Sequence, residues 1–315
     1  MHILITGGAG FIGSHLAEKL LQEGNQISAI DNFDPFYSRT IKESNIAGCL
    51  GKPGYTLYEN DIRDASALRD IFSKVKVDFV VHLAAKAGVR PSLENPKEYY
   101  DVNLNGTLAL LEVMRENNVK KMVFASSSSV YGNSEQIPFS ESDNVDHPIS
   151  PYAASKKAGE LLCHTYHHLY GYDIFCMRFF TVFGPRQRPD LAIHKFTKAI
   201  TENKPIQVYG KGDTSRDYTY VADIVSGLVE AIKKVNGYEI INLGNSRTVP
   251  LAELISLIEK HLQMKAVIKY LPEQPGDVKK THADIKKAKL LLGYNPQHGI
   301  DEGIDDFVEW FRLQN

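Results

Sequence analysis

The chain has 315 residues, 43% of them hydrophobic, and a formal net charge of −2. It is long enough for one large domain or two closely packed ones. The near-neutral charge offers no basic field to nucleic acid or a membrane surface, and no apolar run reaches transmembrane length. Cys49, Cys163 and Cys176 lack metal-ligand spacing, and a strand predicted from His2 leaves no room for a leader. These features predict a cytoplasmic protein with reduced thiols and no metal, nucleic-acid or membrane partner.

The first half of the chain alternates short apolar strands with helical stretches such as Ile12–Gln22 and Leu104–Glu116. The predicted strands are His2–Thr6, Gln26–Ile30, Tyr55–Glu59, Asp78–Val81, Lys121–Ala125 and Asp173–Met177. Strands that are apolar throughout and separated by helices predict a parallel sheet covered on both faces. The expected fold class is therefore α/β, a doubly wound, Rossmann-like sheet whose ligands bind at the carboxyl ends of the strands.

Beyond about residue 180 the pattern loosens, and prolines and glycines become frequent. The elements predicted there are helices over Ile193–Glu202, Val221–Lys233 and Leu251–Leu262, a strand near Tyr238–Asn242, and two short helices at the end. We expect residues 1–180 to form a dinucleotide-binding domain, with part of 219–249 returning to its sheet. Residues 181–315 are expected to form mainly a smaller, substrate-binding lobe.

Three glycines follow the first strand and open the first helix. Gly7, Gly10 and Gly13 have the spacing Gly-x-x-Gly-x-x-Gly, a variant of the usual dinucleotide-binding pattern. Such glycines allow a tight turn, bare backbone beside a pyrophosphate, and close packing of the helix on the strand. The helix N-terminus then offers free N–H groups and positive potential to the phosphates. The motif predicts a dinucleotide site.

Polar and small residues follow the next strands, where the same ligand is expected. Asp31 ends the second strand, and a carboxylate there accepts a hydrogen bond from the ribose 2′-hydroxyl and repels a 2′-phosphate, which favours NAD over NADP. Asp61 follows the third strand beside the expected adenine position, although it also suits the N-cap of a helix. Ala84 and Ala85, after the fourth strand, leave room for the cofactor.

Tyr152 and Lys156 lie four residues apart, so on a helix the phenol and the ammonium share one face. A nearby positive charge lowers the pKa of a phenol, which then accepts and returns a hydroxyl proton near neutral pH. Ser127, after the fifth strand, is placed to share the substrate's hydrogen bond, whereas a polar turn explains Ser126. A plain helix surface also explains Tyr-x-x-x-Lys, but its position downstream of the glycine motif favours catalysis.

These residues together resemble the extended short-chain dehydrogenase/reductase superfamily over nearly the whole chain. Further motifs resemble its nucleotide-sugar enzymes, most of all the UDP-glucuronate 4-epimerase subfamily. These motifs are Ala87–Arg90, Ser126–Gly132, Arg178–Asp190, Ser215–Asp223 and Gln274–Asp277. The resemblance implies NAD as cofactor, a UDP-sugar as substrate, and a homodimer paired through two of the helices, although packing on the sheet equally explains their apolar content.

The resemblance also implies individual roles. The catalytic residues are Tyr152, Lys156 and Ser127. The cofactor-binding residues are Gly7, Gly10, Phe11, Ile12, Gly13, Asp31, Asn32, Asp61, Ile62, Leu83, Ala84, Ala85, Asn103, Tyr152 and Lys156. The substrate-binding residues are Arg90, Ser127, Ser128, Ser129, Thr181, Arg188, Arg216 and Asp277. Among these, Asn103 could equally cap its helix.

Two positions separate the possible reactions. Related 4,6-dehydratases carry Asp-Glu where this chain has Ser128 and Ser129, and related UDP-glucuronate decarboxylases carry Glu in place of Ser129. The missing acids favour 4-epimerisation of UDP-glucuronate to UDP-galacturonate through a 4-keto intermediate with retained NAD. UDP-glucuronate decarboxylation, 4-epimerisation of a neutral UDP-hexose, and a non-catalytic dinucleotide-binding regulator are the alternatives.

Arg188, helped by Thr181, is expected to hold the substrate carboxylate, because a guanidinium fork suits a carboxylate. The alternative is that Arg186 and Arg188 are solvated loop charges.

Arg216 resembles the family arginine at the UDP phosphates, with a surface pair to Asp217 or Asp213 as the alternative. Asp277 resembles the residue that holds the uridine ribose. An arginine is usual three residues before it, whereas this chain has Gln274, which predicts that phosphate binding shifts to Arg216 and Lys279.

Overall fold

Twelve strands and twelve helices are present in the computed structural model, which describes residues 1–273, 276 and 278–314. The strands are β1 (His2–Thr6), β2 (Gln26–Asp31), β3 (Tyr55–Glu59), β4 (Phe79–His82), β5 (Lys121–Ser127), β6 (Asp173–Phe179), β7 (Thr181–Phe183), β8 (Ile206–Tyr209), β9 (Ser215–Tyr220), β10 (Tyr238–Leu243), β11 (Thr248–Pro250) and β12 (Ile268–Leu271). The helices are α1 (Phe11–Gln22), α2 (Arg39–Ile46), α3 (Ala65–Lys74), α4 (Val89–Glu94), α5 (Pro96–Tyr100), α6 (Thr107–Glu116), α7 (Pro151–Tyr170), α8 (Ala192–Thr201), α9 (Val221–Lys234), α10 (Leu251–Leu262), α11 (Lys286–Leu292) and α12 (Ile300–Gln314).

Seven strands form one parallel sheet in the order β10-β6-β5-β4-β1-β2-β3. The interior strand β1 shows why such strands are apolar throughout. Ile3 and Ile5 pack into the core on one face of the sheet, and Leu4 packs into the core on the other. Successive side chains of a strand point to opposite faces, so helices on both sides require apolar residues at every position. The predicted doubly wound sheet is confirmed.

The C-terminal half contributes both to this sheet and to two smaller ones. β10 pairs in parallel with β6, from Tyr238 opposite Ile174 to Leu243 opposite Phe179. The smaller sheets have the strand orders β11-β9-β7 and β12-β8, and they were not predicted. The return of β10 supports the expectation for 219–249, while the division into 1–180 and 181–315 stays a prediction.

Several elements differ from their predicted bounds. The helix predicted from Leu104 is preceded by a π-helical segment, Asp101–Gly106, and α6 itself begins at Thr107. The last helix, α12, has 15 residues and is not short. Gln274 and Asp277 lie outside the described residues. Among the residues that the structure describes, no helix has both the length and the apolar character needed to cross a membrane.

Candidate active site

A cavity of about 460 Å³ opens at the carboxyl ends of β1, β2, β4 and β5. This is the edge at which ligands bind in doubly wound sheets. The predicted site residues that line it are Gly7, Gly10, Phe11, Ile12, Gly13, Asp31, Asn32, Asp61, Ile62, Leu83, Ala84, Ala85, Ser127, Ser128, Ser129, Tyr152, Lys156, Thr181 and Arg188. The structure therefore brings together residues from both halves of the sequence, while their individual ligand contacts stay predictions.

The glycine motif forms a wall made of backbone. Gly7 has φ of 71°, and a Cβ atom there would lie 2.9 Å from the backbone nitrogen of Ala84. A Cβ atom on Gly13 would lie 2.2 Å from the carbonyl oxygen of Gly7, which is too close for any side chain. Gly10 is the N-cap residue of α1 and has no side chain to cover the helix start. The first N–H groups of α1 thus lie at the cavity, where an anion is favoured.

Asp31 is buried at the end of β2 and is held by its surroundings. Its carboxylate accepts hydrogen bonds from the backbone N–H groups of Ala9 at 3.1 Å and Phe33 at 2.9 Å. Lys42, on α2, places its ammonium 3.4 Å from the same carboxylate and also lines the cavity. Sequence reasoning missed Lys42, because nothing local links a lysine in an eight-residue helix to a strand end eleven residues earlier.

The Asp61 carboxylate lines the cavity and is hydrogen-bonded to polar neighbours. It accepts hydrogen bonds from Arg63 and from the amide of Asn32 at 2.9 Å, and the arginine lowers the pKa of the Asp61 carboxyl to about 2. The N-cap of α3 is Asp64, whose side chain accepts from the N–H groups of Ser66 and Ala67. The alternative that Asp61 caps this helix is therefore wrong.

A buried polar chain fixes the loop that follows β4. Thr6 and His82 lie 2.7 Å apart between Oγ1 and Nδ1, and His82 Nε2 lies 2.9 Å from Thr107 Oγ1. Thr6 Oγ1 also accepts from the N–H of Ala84 at 3.2 Å. Burial lowers the pKa of His82 to about 3, so its ring is neutral. These bonds hold Ala84 against the glycine motif.

Tyr152 lies in the first turn of α7, which begins with two helix-starting signals. The Ser150 side chain accepts from the N–H of Ala153 at 3.1 Å, and Pro151 is the first helical residue. Tyr152 lines the cavity together with Ser127, at the end of β5. Burial raises the pKa of the Tyr152 phenol, while the Ser127 bond and the charge of Arg188 act to lower it. The phenol and the serine hydroxyl thus meet at the cavity as predicted.

The expected effect of Lys156 on the pKa of Tyr152 stays a prediction, because the ammonium is hydrogen-bonded to the neighbouring strand in this structure. Its ammonium donates to the carbonyl oxygen of Ala125 at 2.7 Å and lies 5.3 Å from the Phe124 ring centroid. Burial lowers the pKa of Lys156 to about 8. Helical spacing puts the two residues on one face, but the lysine side chain turns toward the strand. Arg188, which is distant in sequence, places a positive charge near the phenol that acts to lower its pKa.

The serine run after β5 divides between two sides of the strand. Ser126 donates to Glu160 at 2.6 Å, and Glu160 in turn accepts a bidentate pair of hydrogen bonds from Arg178 at 2.8 and 2.9 Å. Ser127 caps the short helical turn after the strand and accepts from the N–H of Ser129 at 3.1 Å. The Ser126 side chain is therefore a buried anchor of the strand and the Ser127 side chain caps the turn, while both residues line the cavity.

Arg188 is held beside the cavity by an internal acid. Its Nε and Nη2 donate to the two carboxylate oxygens of Asp190 at 2.9 and 2.8 Å. The Arg188 side chain is 20% exposed, and its guanidinium lies 5.7 Å from the centroid of the Phe36 ring. The alternative of a solvated loop charge is wrong for this residue. Thr181 lines the same part of the cavity.

Three predicted residues do not line the cavity. Asn103 donates to the carbonyl oxygen of Lys86 and to Ser155, and accepts from the Lys86 N–H at 2.8 Å, so its amide is occupied in holding the loop after β4. Arg90 stacks on Tyr209, with its guanidinium carbon 4.1 Å from the ring centroid. Direct ligand contacts by Asn103 and Arg90 stay predictions.

Arg216 also lies outside the cavity lining. Its Nη1 donates to the carbonyl oxygens of Ser215 at 3.0 Å and Lys279 at 3.2 Å. These backbone contacts differ from the surface ion pair with Asp217 or Asp213 that was the alternative. Asp217 instead accepts from backbone N–H groups, including that of Ala283 at 3.0 Å. Arg216 and Lys279 are neighbours, as the expected shift of phosphate binding requires, but that shift stays a prediction.

Several other lining residues were missed from sequence. Phe36, Tyr37, Lys86 and Asp34 border the cavity, and Lys86 pairs with Asp34 at 2.9 Å and with Glu98 at 2.7 Å. The signal available was position, because Asp34 to Tyr37 follow the end of β2 and Lys86 follows the end of β4. No cluster of His, Cys, Asp and Glu suited to a metal ion is found among the residues the structure describes.

A glycine-rich turn before α1, with Tyr152, Ser127 and Lys156 across the same cavity, defines a dinucleotide-dependent enzyme of the short-chain dehydrogenase/reductase superfamily. The family model described as GDP-mannose 4,6 dehydratase matches residues 4–307, and the chain belongs to that family. The two serines at positions 128 and 129 remain a departure from the dehydratases' acids.

Relatives with described activities cover nearly the whole chain. It is 46% identical over 310 residues to the UDP-glucuronate 4-epimerase of Thermodesulfobacterium geofontis, which covers 98% of this chain and 95% of that protein. It is 42% identical over 327 residues to UDP-glucuronate 4-epimerase 5 of Arabidopsis thaliana, covering 98% and 75%. The crystal structure of UDP-glucuronic acid 4-epimerase from Bacillus cereus, in complex with UDP-glucuronic acid and NAD, matches with a TM-score of 0.95 and 36% identity over 100% of both chains. The predicted resemblance is confirmed.

Proposed function

We propose that the protein catalyses NAD-dependent 4-epimerisation of UDP-glucuronate to UDP-galacturonate. The observation that carries this conclusion is the meeting of Tyr152, Ser127 and Arg188 in one cavity with the glycine motif. A base, a hydroxyl-orienting donor and a carboxylate-binding cation then surround the place where a sugar would lie. Relatives at 46% and 42% identity carry the same activity in their names.

The residues present fit NAD. A cradle that a Cβ atom would fill at Gly7 and Gly13 leaves bare backbone for a pyrophosphate, and the start of α1 supplies its N–H groups. The Asp31 carboxylate is held in place for a ribose hydroxyl, and the Asn32–Asp61 pair borders the adenine side. When bound, NAD accepts hydride from the sugar carbon C4 and later returns it.

Tyr152 removes the proton from the 4-hydroxyl and gives it back after the new configuration forms. Ser127 shares the hydrogen bond of the same oxygen. Burial raises the pKa of the phenol, and Ser127 and the charge of Arg188 oppose that rise. Lys156 is held on the Ala125 carbonyl oxygen, and it contributes positive charge to the site once the cofactor ribose offers it a hydroxyl partner. Catalysis therefore depends on side chains from β5, α7 and the 184–190 loop.

The substrate carboxylate creates a competing reaction. Oxidation at C4 places a ketone β to the carboxylate, and such acids lose carbon dioxide when the C5–carboxylate bond stands perpendicular to the carbonyl plane. Arg188 and Thr181 hold the carboxylate so that this bond stays near the plane. The neutral side chains of Ser128 and Ser129 offer hydrogen bonds there without the repulsion that an acid would add.

The test is to incubate the purified protein with UDP-glucuronate, without added NAD, and to follow the sugar products by NMR. UDP-galacturonate as the main product, at a rate that added NAD does not change, supports the proposal. A UDP-pentose with carbon dioxide as the main product contradicts it in favour of decarboxylation. Turnover of UDP-glucose with none of UDP-glucuronate contradicts it in favour of a neutral-hexose epimerase.

We further propose that the protein is a cytoplasmic homodimer. Leu108 on α6, with Leu161 and Leu169 on α7, are 41%, 57% and 60% exposed, which leaves an apolar face for a second copy. The three cysteines are free and buried, as suits a reducing compartment. Light scattering should report twice the chain mass, and Leu161→Lys should shift it to the monomer. Cell fractionation tests the compartment.

A further inference from the structure

The loop that carries Arg188, residues 184–190, rests on the helix that opens the dinucleotide site. Arg186 donates from Nη2 to Glu18 Oε1 at 2.8 Å, and from Nη1 to Ser14 Oγ at 3.4 Å. His15 Nε2 lies 3.0 Å from the carbonyl oxygen of Pro185. Ser14, His15 and Glu18 are all on α1, so one face of the cofactor helix holds the substrate loop.

These contacts are shielded from water. Ser14 is fully buried, and the side chains of Arg186 and Glu18 are 20% and 24% exposed. Burial and the Arg186 charge lower the pKa of His15 to about 4, so the ring is neutral near pH 7 and its Nε2–H donates to the Pro185 carbonyl oxygen. Shielded, charge-assisted hydrogen bonds fix geometry better than exposed ones.

The backbone of the loop requires such support. Arg186 has φ of 64°, in the left-handed region that residues other than glycine rarely adopt. On the other side of the loop, Gln187 donates its side-chain N–H to the carbonyl oxygen of Val182 at 3.0 Å. The backbone carbonyl oxygen of Gln187 lies 2.8 Å from Nδ1 of His194. The loop is held from two sides, and α1 supplies one of them through Arg186.

We propose that Arg186, with Glu18 and His15, is a positioning residue that sets where Arg188 meets the substrate carboxylate. This inference rests on the proposed function. A guanidinium that is free to shift no longer keeps the C5–carboxylate bond near the carbonyl plane of the 4-keto intermediate. The ratio of epimer to decarboxylated product then depends partly on contacts made by α1, away from the reacting atoms.

The competing step balances without any added reagent. The C5–carboxylate bond breaks, its electron pair forms the C4–C5 enolate, carbon dioxide leaves, and C5 takes a proton. The hydride removed from C4 returns to C4, so the nicotinamide cofactor ends in its starting redox state. The product is a UDP-pentose, which is distinguished from UDP-galacturonate by NMR.

The experiment measures the ratio of UDP-pentose to UDP-galacturonate made by the NAD-loaded full-length protein. Arg186→Met keeps the alkyl chain and removes the donors, and Glu18→Gln removes the acceptor charge with a smaller change in shape. We expect each to raise the pentose fraction about fivefold or more. The double variant should match the single ones, because both act through one contact. Arg186→Lys, which keeps a charge for Glu18, should restore part of the wild-type ratio.

Arg69→Met is the matched control, since Arg69 donates to Glu116 at 2.7 Å on the outer surface of α3 and should leave the ratio unchanged. A ratio reports only molecules that turn over, so partial loss of folded protein does not alter it. Wild-type ratios in both Arg186→Met and Glu18→Gln, with a raised ratio in Arg188→Ala, overturn the positioning role and leave the proposed function intact. Absence of UDP-galacturonate from the wild type overturns both.

Discussion

The two walls of the cavity are built from different material. The cofactor side consists of glycine backbone, a helix start and strand ends, all from the first 130 residues. The wall proposed for the substrate includes a cation that already has an internal partner, since Arg188 is paired with Asp190. Lys86, another cation of the lining, is paired with Asp34 and Glu98.

This difference has a functional consequence. Backbone groups fixed by sheet hydrogen bonds need no rearrangement to receive a ligand, which suits a cofactor that stays bound through every cycle. Cations paired with internal carboxylates must exchange partners when an anionic substrate enters, and this lowers the net gain from binding. Such a site suits a substrate that must enter, turn over and leave.

The largest effect on the reaction rate is expected at the Tyr152 phenol, which is proposed to act between the cofactor and the sugar. Tyr152→Phe removes the only proton carrier proposed for the 4-hydroxyl and should lower the rate of UDP-galacturonate formation by roughly 10²–10⁴-fold. The amount of NAD in the purified protein should hardly change, which separates chemistry from cofactor binding. Tyr170→Phe, at the exposed end of α7, is the control and should keep the wild-type rate.

A single added carbon atom at Gly13 should disrupt the wall of the cavity that is proposed to bind NAD. Gly13→Ala puts a Cβ atom 2.2 Å from the Gly7 carbonyl oxygen, so α1 must move away from β1. We expect purified protein with little NAD and a free energy of unfolding lower by about 1–3 kcal/mol, the usual cost of overpacking. Gly299→Ala is the control, because nothing lies within 4 Å of its added Cβ atom. Unchanged NAD content in Gly13→Ala would contradict a rigid backbone wall.

A smaller loss of NAD affinity is expected at Asp31, which contributes a single side chain to the same wall. Asp31→Asn keeps the shape of the side chain but removes the negative charge of the carboxylate that accepts from the Ala9 and Phe33 N–H groups. That carboxylate is the group proposed to bind the cofactor ribose. Affinity of the NAD-free protein for NAD should fall roughly tenfold, and affinity for NADP should fall less. Titration with the two dinucleotides measures both. Equal losses for the two would rule out Asp31 as the selective residue.

The smallest effect concerns stability rather than rate. Lys156 has its pKa lowered to about 8 by burial, from an ordinary value of 10.5, so its charged form is disfavoured in the folded state. This cost is fully present below pH 8 and is relieved as pH rises toward 10.5, because there the unfolded chain binds more protons than the folded one.

In the NAD-free protein, Lys156→Met should therefore gain stability relative to wild type at pH 7, and the difference should narrow between pH 8 and 10.5. Urea unfolding at several pH values measures it. A difference that stays constant with pH would show that the lysine is not destabilised by burial.

Local sequence was sufficient for the main sheet and the cofactor wall. The strands predicted from apolar runs match β1 to β6 within two residues at each end, because a strand buried on both faces shows in composition alone. The glycine motif and Asp31 were found because each performs its role through its own backbone or its place at a strand end. The five short strands of the smaller sheets were missed, since their pairings, such as Val249 opposite Arg216, join distant segments.

What the sequence determined by itself was the parallel sheet, the dinucleotide motif and the Tyr–Ser–Lys set, since these depend on spacing along a strand or helix. Only the tertiary structure decided which cation acts on the Tyr152 phenol, which acid holds Arg188, and that Lys42 accompanies Asp31. The physical reason is that Coulomb forces and hydrogen bonds depend on distance in space, and long charged side chains choose among partners that only folding brings near.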